Sequence, residues 1–322
     1  MRYTLHTIDD RTPLDALDRI WEASQDADDR GFRPRGGWWS LRAWTARAML
    51  LAGSDTPIGG VALNQAPDGA VEARLALLPG HRTPEAAQQL VRAALADVQR
   101  SDAALVRLTL PAQATWARDA AAAAGLTVAR ATLVMLRPAT LGSLPAAAAP
   151  GLRIRPLAEG EEGRVLHALN HAWAGSWNFR PLTRRALERD LIGQRAGFLL
   201  AVDDAGRIAG TIHAQFDQTA DNPDGTPYAW LSNLTTAPSW RGRGLGRALL
   251  SAGITRLHDR GARSVALGVD SGAVAPITLY RSAGFTEFDR LELWEAQVRG
   301  AEVVEMGKLP LLATPAGQTL HT

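Results

Sequence analysis

Apolar positions along this chain follow two periods, and the period changes at recognisable landmarks. Tyr3, Leu5 and Ile8 open it in the manner of a strand, and after Pro13 the residues Leu14, Leu17, Ile20 and Trp21 fall at helical spacing. Residues 31–40, rich in Gly, Arg and Trp, read as a loop. Two apolar runs, 49–52 and 58–64, flank Gly53-Ser54-Asp55-Thr56-Pro57 and predict a hairpin. A strand over 71–78 ends at Pro79, and a helix over about 84–100 places Leu90, Val91, Ala94, Leu95 and Val98 on one face. Residues 104–110 alternate like a strand, 116–124 read as a helix with Gly125 as its C-cap, and 132–136 close the unit.

The stretch 137–150 is poor in charge and bracketed by prolines, which predicts a connector. From Leu152 the same order of elements begins again. Residues 152–154 are strand-like, and Val165, Leu166, Leu169, Ala172 and Trp173 form a helical stripe within 161–174. A short helix is expected over 183–192. The runs 198–202 and 208–215, joined by Asp203-Asp204-Ala205-Gly206, predict a second hairpin. Pro238 follows Pro79 by 159 positions, and the same offset carries Arg241 onto Arg82, Leu249 onto Leu90, Val265 onto Val106, Leu267 onto Leu108 and Ala283-Gly284 onto Ala124-Gly125. Two copies of one fold is the reading that needs fewest assumptions.

Chemistry concentrates in the second copy. An apolar strand over 231–236 runs into Pro238, then into Arg241-Gly242-Arg243-Gly244-Leu245-Gly246-Arg247, then into a helix with Ala248, Leu249, Ala252, Ile254 and Leu257 at helical spacing. Glycines in such a turn reach backbone angles closed to other residues, so successive N–H groups can point inward at a helix start. Phosphate binds such a turn because those N–H groups lack partners and the helix dipole is positive there. Arg241, Arg243 and Arg247 add charge able to fork onto phosphate oxygens. In the first copy the corresponding positions are Thr83, Pro84, Glu85 and Ala87, where proline removes an N–H and glutamate repels phosphate.

The turn, followed by Tyr280-Arg281-Ser282-Ala283-Gly284-Phe285, resembles the GNAT superfamily of acyl-CoA-dependent N-acetyltransferases. Arg241, Gly244 and Gly246 match the family's R/Q-x-x-G-x-G/A, and residues 280–285 match its Y-x-x-x-G-F. The two-domain layout and length are similar to mycothiol synthase. The resemblance implies an α/β fold with a mixed sheet in two tandem GNAT-like domains: a degenerate one over 1–137, a linker over 138–150, an acetyl-CoA-binding one over 151–300 and a C-terminal tail over 301–322. It implies acetyl-CoA as co-substrate, held by main-chain groups of Leu234, Thr235 and Thr236 and by the turn from Arg241 to Arg247. The resemblance makes Tyr280 the acid for the leaving thiolate, and a structural tyrosine is the other reading. The implied reaction is direct attack by a neutral amine in a ternary complex, with an N–H near Leu234 stabilising the oxyanion.

The resemblance is incomplete. Proteins resembling mycothiol synthase carry a glutamate where this chain has Trp230, and the family's frequent asparagine is Ala273. Ser232 and Asn233 are not strong bases, which leaves a water relay, His213, Asp217 or the substrate itself to accept the proton. The acceptor region would hold Asn170, His171, Trp173, Trp177, Asn178, Phe179 and Arg180. His167 and His171 have metal-binding spacing on a helix but lack a third ligand, so no metal is expected.

Composition narrows the alternatives. The 322 residues carry a formal charge of only +2, which gives no field suited to nucleic acid despite a pI near 9.5. The absence of cysteine closes disulfides and any acyl-cysteine route. The N-terminus lacks a signal-peptide core and no apolar run reaches about 18 residues, so a cytoplasmic protein without membrane or nucleic-acid partners is expected. The expected partner is a small-molecule amine, and a homodimer is compatible with the sequence. Two rival readings stand beside the enzyme: an acyl-CoA sensor without turnover, and a dinucleotide-binding oxidoreductase using Gly242-x-Gly244 with Asp270 as ribose ligand. The second rival meets Arg247 where its third glycine belongs.

Overall fold

A computed structural model describes residues 3–8, 15–28, 46–66, 68–101, 103–142, 144–145, 149–177, 179–221 and 227–297. The expected loop over 31–40, Asn178 and the tail over 301–322 lie outside these residues. The first half runs β1 (Tyr3–Ile8), α1 (Asp15–Asp28), β2 (Arg47–Gly53), β3 (Thr56–Gln65), β4 (Val71–Leu77), α2 (Pro84–Arg100), β5 (Leu105–Pro111), α3 (Thr115–Ala123) and β6 (Thr127–Pro138). The second runs β7 (Leu152–Pro156), α4 (Glu162–Trp173), α5 (Arg184–Leu191), β8 (Phe198–Asp203), β9 (Ile208–Asp221), β10 (Pro227–Thr236), α6 (Leu245–His258), β11 (Ser264–Asp270), α7 (Val274–Ser282) and β12 (Thr286–Gln297). The offset of 159 read from the sequence carries β5 onto β11, α3 onto α7 and β6 onto β12 at both ends of each element. The first hairpin turns through Ser54 and Asp55 at positive φ, a conformation short polar residues tolerate.

All twelve strands form one mixed sheet in the order β1-β2-β3-β4-β5-β12-β6-β11-β10-β9-β8-β7. The closing strand of each half has crossed over: β12 pairs with β5, β6 pairs with β11, and the two exchanged strands pair with each other, all antiparallel. Each half's sheet is therefore completed by the other. Ion pairs reinforce the seam, with Arg107 Nε 2.6 Å from Glu295, Arg118 Nε 2.9 Å from Glu292 and Arg130 Nε 2.7 Å from Asp270. A further pair, Arg180 with Glu72, runs the opposite way between the halves.

Helices cover both faces because the strands alternate. Phe198, Leu200 and Val202 of β8 pack on α4 and α5, while Leu199 and Ala201 point to the face covered by α6 and α7. In the first half, α2 and α3 cover the same face as α6 and α7, and α1 lies on the opposite face against Ala48, Leu50, Ala62 and Ala76. Residues 144–145 of the connector lie along α6, whose Ser251 Oγ is 3.3 Å from the carbonyls of Leu144 and Pro145. No helix among the described residues is long and apolar enough to cross a membrane.

Candidate active site

Two irregularities in β10 build the site. On one side β10 pairs with β11 only at Trp230↔Ala266 and Leu231↔Leu267, so the two parallel strands separate and residues 232–236 have no partner there. On the other side the register with β9 breaks between Ser232 and Thr235, and Asn233 sits at φ 54. An extra residue in one strand of an antiparallel pair is a β-bulge, and Asn is among the few residues that accept this conformation cheaply. Sequence reasoning read 231–236 as an unbroken strand; nothing in Leu-Ser-Asn-Leu-Thr-Thr marks the bulge except that one asparagine.

Beyond Thr236 the chain turns through a short 3-10 stretch into α6. Gly242 and Gly244 adopt φ 73 and 80, and Gly244 is the residue that starts the helix, with no side chain capping it. From Gly242 to Arg247 no main-chain N–H donates to another main-chain group among the described residues. Six consecutive main-chain donors thus lie without a main-chain acceptor at the positive end of a helix dipole, an arrangement that fits a diphosphate. Leu245 contributes only its main chain, because its side chain is in the core. Gly246 lets α6 pack closely on α7, since a Cβ there would lie 3.3 Å from Leu279 Cδ2.

The three arginines of the turn are all exposed and each has a protein partner. Arg241 donates to the carbonyls of Thr236 and Ala172 at 3.4 and 3.3 Å, tying the end of β10 to α4. Arg243 lies over the Trp240 ring at 5.3 Å, and Arg247 Nη1 reaches Ser282 Oγ at 3.2 Å.

The first copy is closed where the second is open. Thr83 caps α2 by accepting from Ala86 N–H at 3.2 Å, its own N–H goes to His81, and Pro84 has none to offer. The exposed Glu85 carboxyl is held below the usual carboxylate range chiefly by its own main-chain N–H, with Thr83 adding to it. Tyr3 reaches Thr83 Oγ1 at 3.0 Å. Arg82, the counterpart of Arg241, is drawn inward to Asp28 at 2.8 Å and to Ser24 O at 3.1 Å, with its guanidinium 5.5 Å over Trp116. Arg82→Ala is therefore expected to cost about 3 kcal/mol of stability, by removing the cation paired with the buried Asp28 carboxylate, which keeps only neutral donors such as the Trp116 indole N–H at 3.1 Å. The same variant should leave acetyl-CoA affinity unchanged; chemical denaturation and calorimetric titration of one preparation check both.

Tyr280 lies in α7 and is 7% exposed, packed edge-on to Phe285 at 6.0 Å. Burial pushes its phenol up to about 12, so the ring keeps its proton throughout the neutral range. His213, opposite Ser232 on β9, is fully buried 4.9 Å from Phe198, with Nε2 3.3 Å from Gln194 O. Burial, opposed by the Gln194 carbonyl, pushes it down to about 4, which leaves a neutral ring shut away from solvent. Trp230 fills the floor beside Val134 and Ala266 and comes within 3.4 Å of where a Gly268 Cβ would stand.

On this same face Arg130, from the first half, pairs with Asp270 and lies 5.0 Å beneath the ring of Trp177, which is 44% exposed. Sequence reasoning singled out Trp177 and missed Arg130, whose partners are far away in the chain. His167 and His171 stack with parallel rings 6.3 Å apart, and no group of three or more metal-type ligands occurs among the described residues. Asp270 is occupied by Arg130 and by the Gly272 N–H at 2.8 Å, an arrangement unlike a free ribose ligand.

Residues 164–285 match the family model described as Acetyltransferase (GNAT) family. The chain is 35% identical over 254 residues to a mycothiol acetyltransferase of Thermobispora bispora, covering 76% of this chain and 81% of that one. The chain belongs to the GNAT family of N-acetyltransferases. A mycothiol acetyltransferase of Thermomonospora curvata is 32% identical over 257 residues, with 77% and 82% covered. In solved structures, this acetyltransferase shares its fold with a GCN5-related N-acetyltransferase from Sphaerobacter thermophilus, at TM-score 0.67, 24% identity and 94% and 98% coverage. It also shares it with a tandem GNAT protein from the clavulanic acid biosynthesis pathway, at TM-score 0.69, 17% identity and 94% and 100% coverage. Family membership sets aside the oxidoreductase reading of Gly242-x-Gly244.

Proposed function

We propose that this acetyltransferase uses acetyl-CoA to acetylate a primary amine of a small molecule, with a single active site in its second half. The observation that carries this reading is the uncapped mouth of α6 beside the separated strands β10 and β11, set against the self-capped start of α2. Acetyl-CoA supplies an activated acetyl thioester. The N–H groups from Gly242 to Arg247 would hold its diphosphate, and the free main-chain edge of Leu234, Thr235 and Thr236 would pair with its amide-bearing arm as an added strand does. As the amine nitrogen forms its bond to the acetyl carbon and the C–S bond breaks, the Leu234 N–H would donate to the carbonyl oxygen and the Tyr280 hydroxyl would give its proton to the departing sulfur, regaining one through water from the nitrogen as the amide forms.

His213 is sealed, Asp217 lies opposite Tyr228, six residues before Leu234 along β10, Asp270 and Glu72 are ion-paired, and Trp230 stands where the resemblance puts a carboxylate base. Water therefore takes the ammonium proton before attack. The rate, kcat/KM, should rise with pH in proportion to free amine up to the amine's own pKa, with no separate inflection from an enzyme carboxylate.

The acceptor would enter from the face opposite α6, where Trp177 presents a ring backed by Arg130 and Asp270. Ring stacking with nearby charged hydrogen-bonding groups suits an amine on a cyclic, hydroxylated or aromatic body. Trp177→Ala is expected to raise the amine KM by about 10-fold while leaving that for acetyl-CoA unchanged. The reading is tested by measuring CoA release from acetyl-CoA over amino sugars, aminoglycosides, amino acids, polyamines and amines related to mycothiol, the compound for which the relatives are named. Tight acetyl-CoA binding with no release on any amine would oppose it.

A further inference from the structure

The bulge in β10 is held from the neighbouring strand. Thr211 of β9 is fully buried, and its Oγ1 lies 2.7 Å from Asn233 O and 2.8 Å from Thr235 Oγ1. A hydroxyl has one proton to give. Thr211 gives its proton to the Asn233 carbonyl, so the bond between the two hydroxyls must run from Thr235 to Thr211. The result is a directed chain, Thr235 Oγ1–H to Thr211 Oγ1 and Thr211 Oγ1–H to Asn233 O. The strands are pressed together here, since a Cβ on Gly210 would lie 2.6 Å from Thr235 O.

The consequence lies one bond further on. The Asn233–Leu234 peptide is trans, and in a planar trans peptide the C=O and N–H point in opposite directions. A carbonyl drawn toward β9 by Thr211 therefore turns the Leu234 N–H toward β11, into the gap where β10 has lost its partner.

We propose that Thr211 and Thr235 are positioning residues that set the Leu234 N–H to donate to the carbonyl oxygen of the acetyl thioester. This rests on the function proposed above. Without the Thr211 proton the bulge carbonyl loses its anchor, and the peptide turns away from the gap.

The test uses the full chain with acetyl-CoA carrying 13C at the acetyl carbonyl, read by difference infrared spectroscopy alongside calorimetric binding and steady-state kinetics. In the wild type the bound thioester band should lie at lower wavenumber than in free acetyl-CoA. Thr211→Val keeps the side-chain shape and removes the hydroxyl; it should return most of that shift and lower kcat by about 10-fold or more, with acetyl-CoA affinity changed less than about 2-fold. Thr211→Ser should retain both band and rate. An unmoved band in Thr211→Val, or a Thr211→Ser variant as impaired as Thr211→Val, overturns the proposal. If Thr211→Val does not fold, Thr235→Val should give a smaller shift of the same sign; failure of both to fold would assign the hydroxyls to the core and equally overturn it. Wild-type protein that binds no acetyl-CoA overturns the underlying function and this proposal with it, whereas binding with an unmoved band in the variant overturns this proposal alone.

Discussion

Gly244→Val is expected to weaken acetyl-CoA binding by about 100-fold while the protein stays folded. Gly244 is exposed, and a Cβ added there would meet nothing within 4 Å, so crowding is not the cause. The cause is the backbone. At φ 80 a β-branched residue is disfavoured by at least about 1–2 kcal/mol, and the turn relaxes by moving this residue out of the left-handed region. That change redirects the N–H groups of Gly244, Leu245 and Gly246. Loss of two charge-assisted bonds, at about 1.5 kcal/mol each, corresponds to roughly 100-fold in affinity. Asparagine tolerates positive φ and alanine less so, so affinity should fall in the order Gly, Asn, Ala, Val when measured by calorimetry. An equal loss for Asn and Val would mean that bulk, and not backbone angle, governs the site. The thermal midpoint without ligand should vary little across the series, because the turn is at the surface.

The same turn separates what the sequence discloses from what it conceals. Gly244 and Thr83 are legible in isolation: a glycine before an apolar helix, and a Thr-Pro-Glu start, each specify a local backbone and its hydrogen bonds. The repeat at an offset of 159 is legible too, since equal elements recur at equal spacing and both hairpins carry their own turn residues. The exchange of β6 and β12 is not. Residues 127–138 and 286–297 alternate in the same way whichever strand lies beside them, and the choice of partner is made across the whole sheet. The ion pairs of Arg107, Arg118 and Arg130 hold that exchanged seam, so their targets were equally hidden. The bulge at Asn233 lies between these cases. Its residue type permits it, but the reason for it is a hydroxyl on β9, 22 positions earlier.

Tyr280→Phe is expected to lower kcat by about 100-fold or more and to leave the KM for acetyl-CoA nearly unchanged, because on the proposed function it removes the proton donor and keeps the ring. The ring matters to folding: it packs against Phe285 and belongs to the core shared by α6, α7 and the sheet. Phenylalanine preserves that packing, so the loss of rate is chemical. The pH dependence follows from the raised phenol. With a folded value of about 12 against the usual 10, the hydroxyl is protonated at every pH at which the enzyme would be assayed, and the wild type should show no fall in kcat from its ionisation below about pH 11. The same shift makes folding pH-dependent on the alkaline side. The unfolded chain releases this proton from about pH 10 upward while the folded chain retains it, so stability is complete below 10 and is lost as the pH rises toward 12. The Phe variant lacks that term and should lose less stability than the wild type between those values, as chemical denaturation at fixed pH would record. A Tyr280→Phe enzyme with unchanged kcat would leave the tyrosine only its packing role and require the thiolate to leave unprotonated or to take its proton from water.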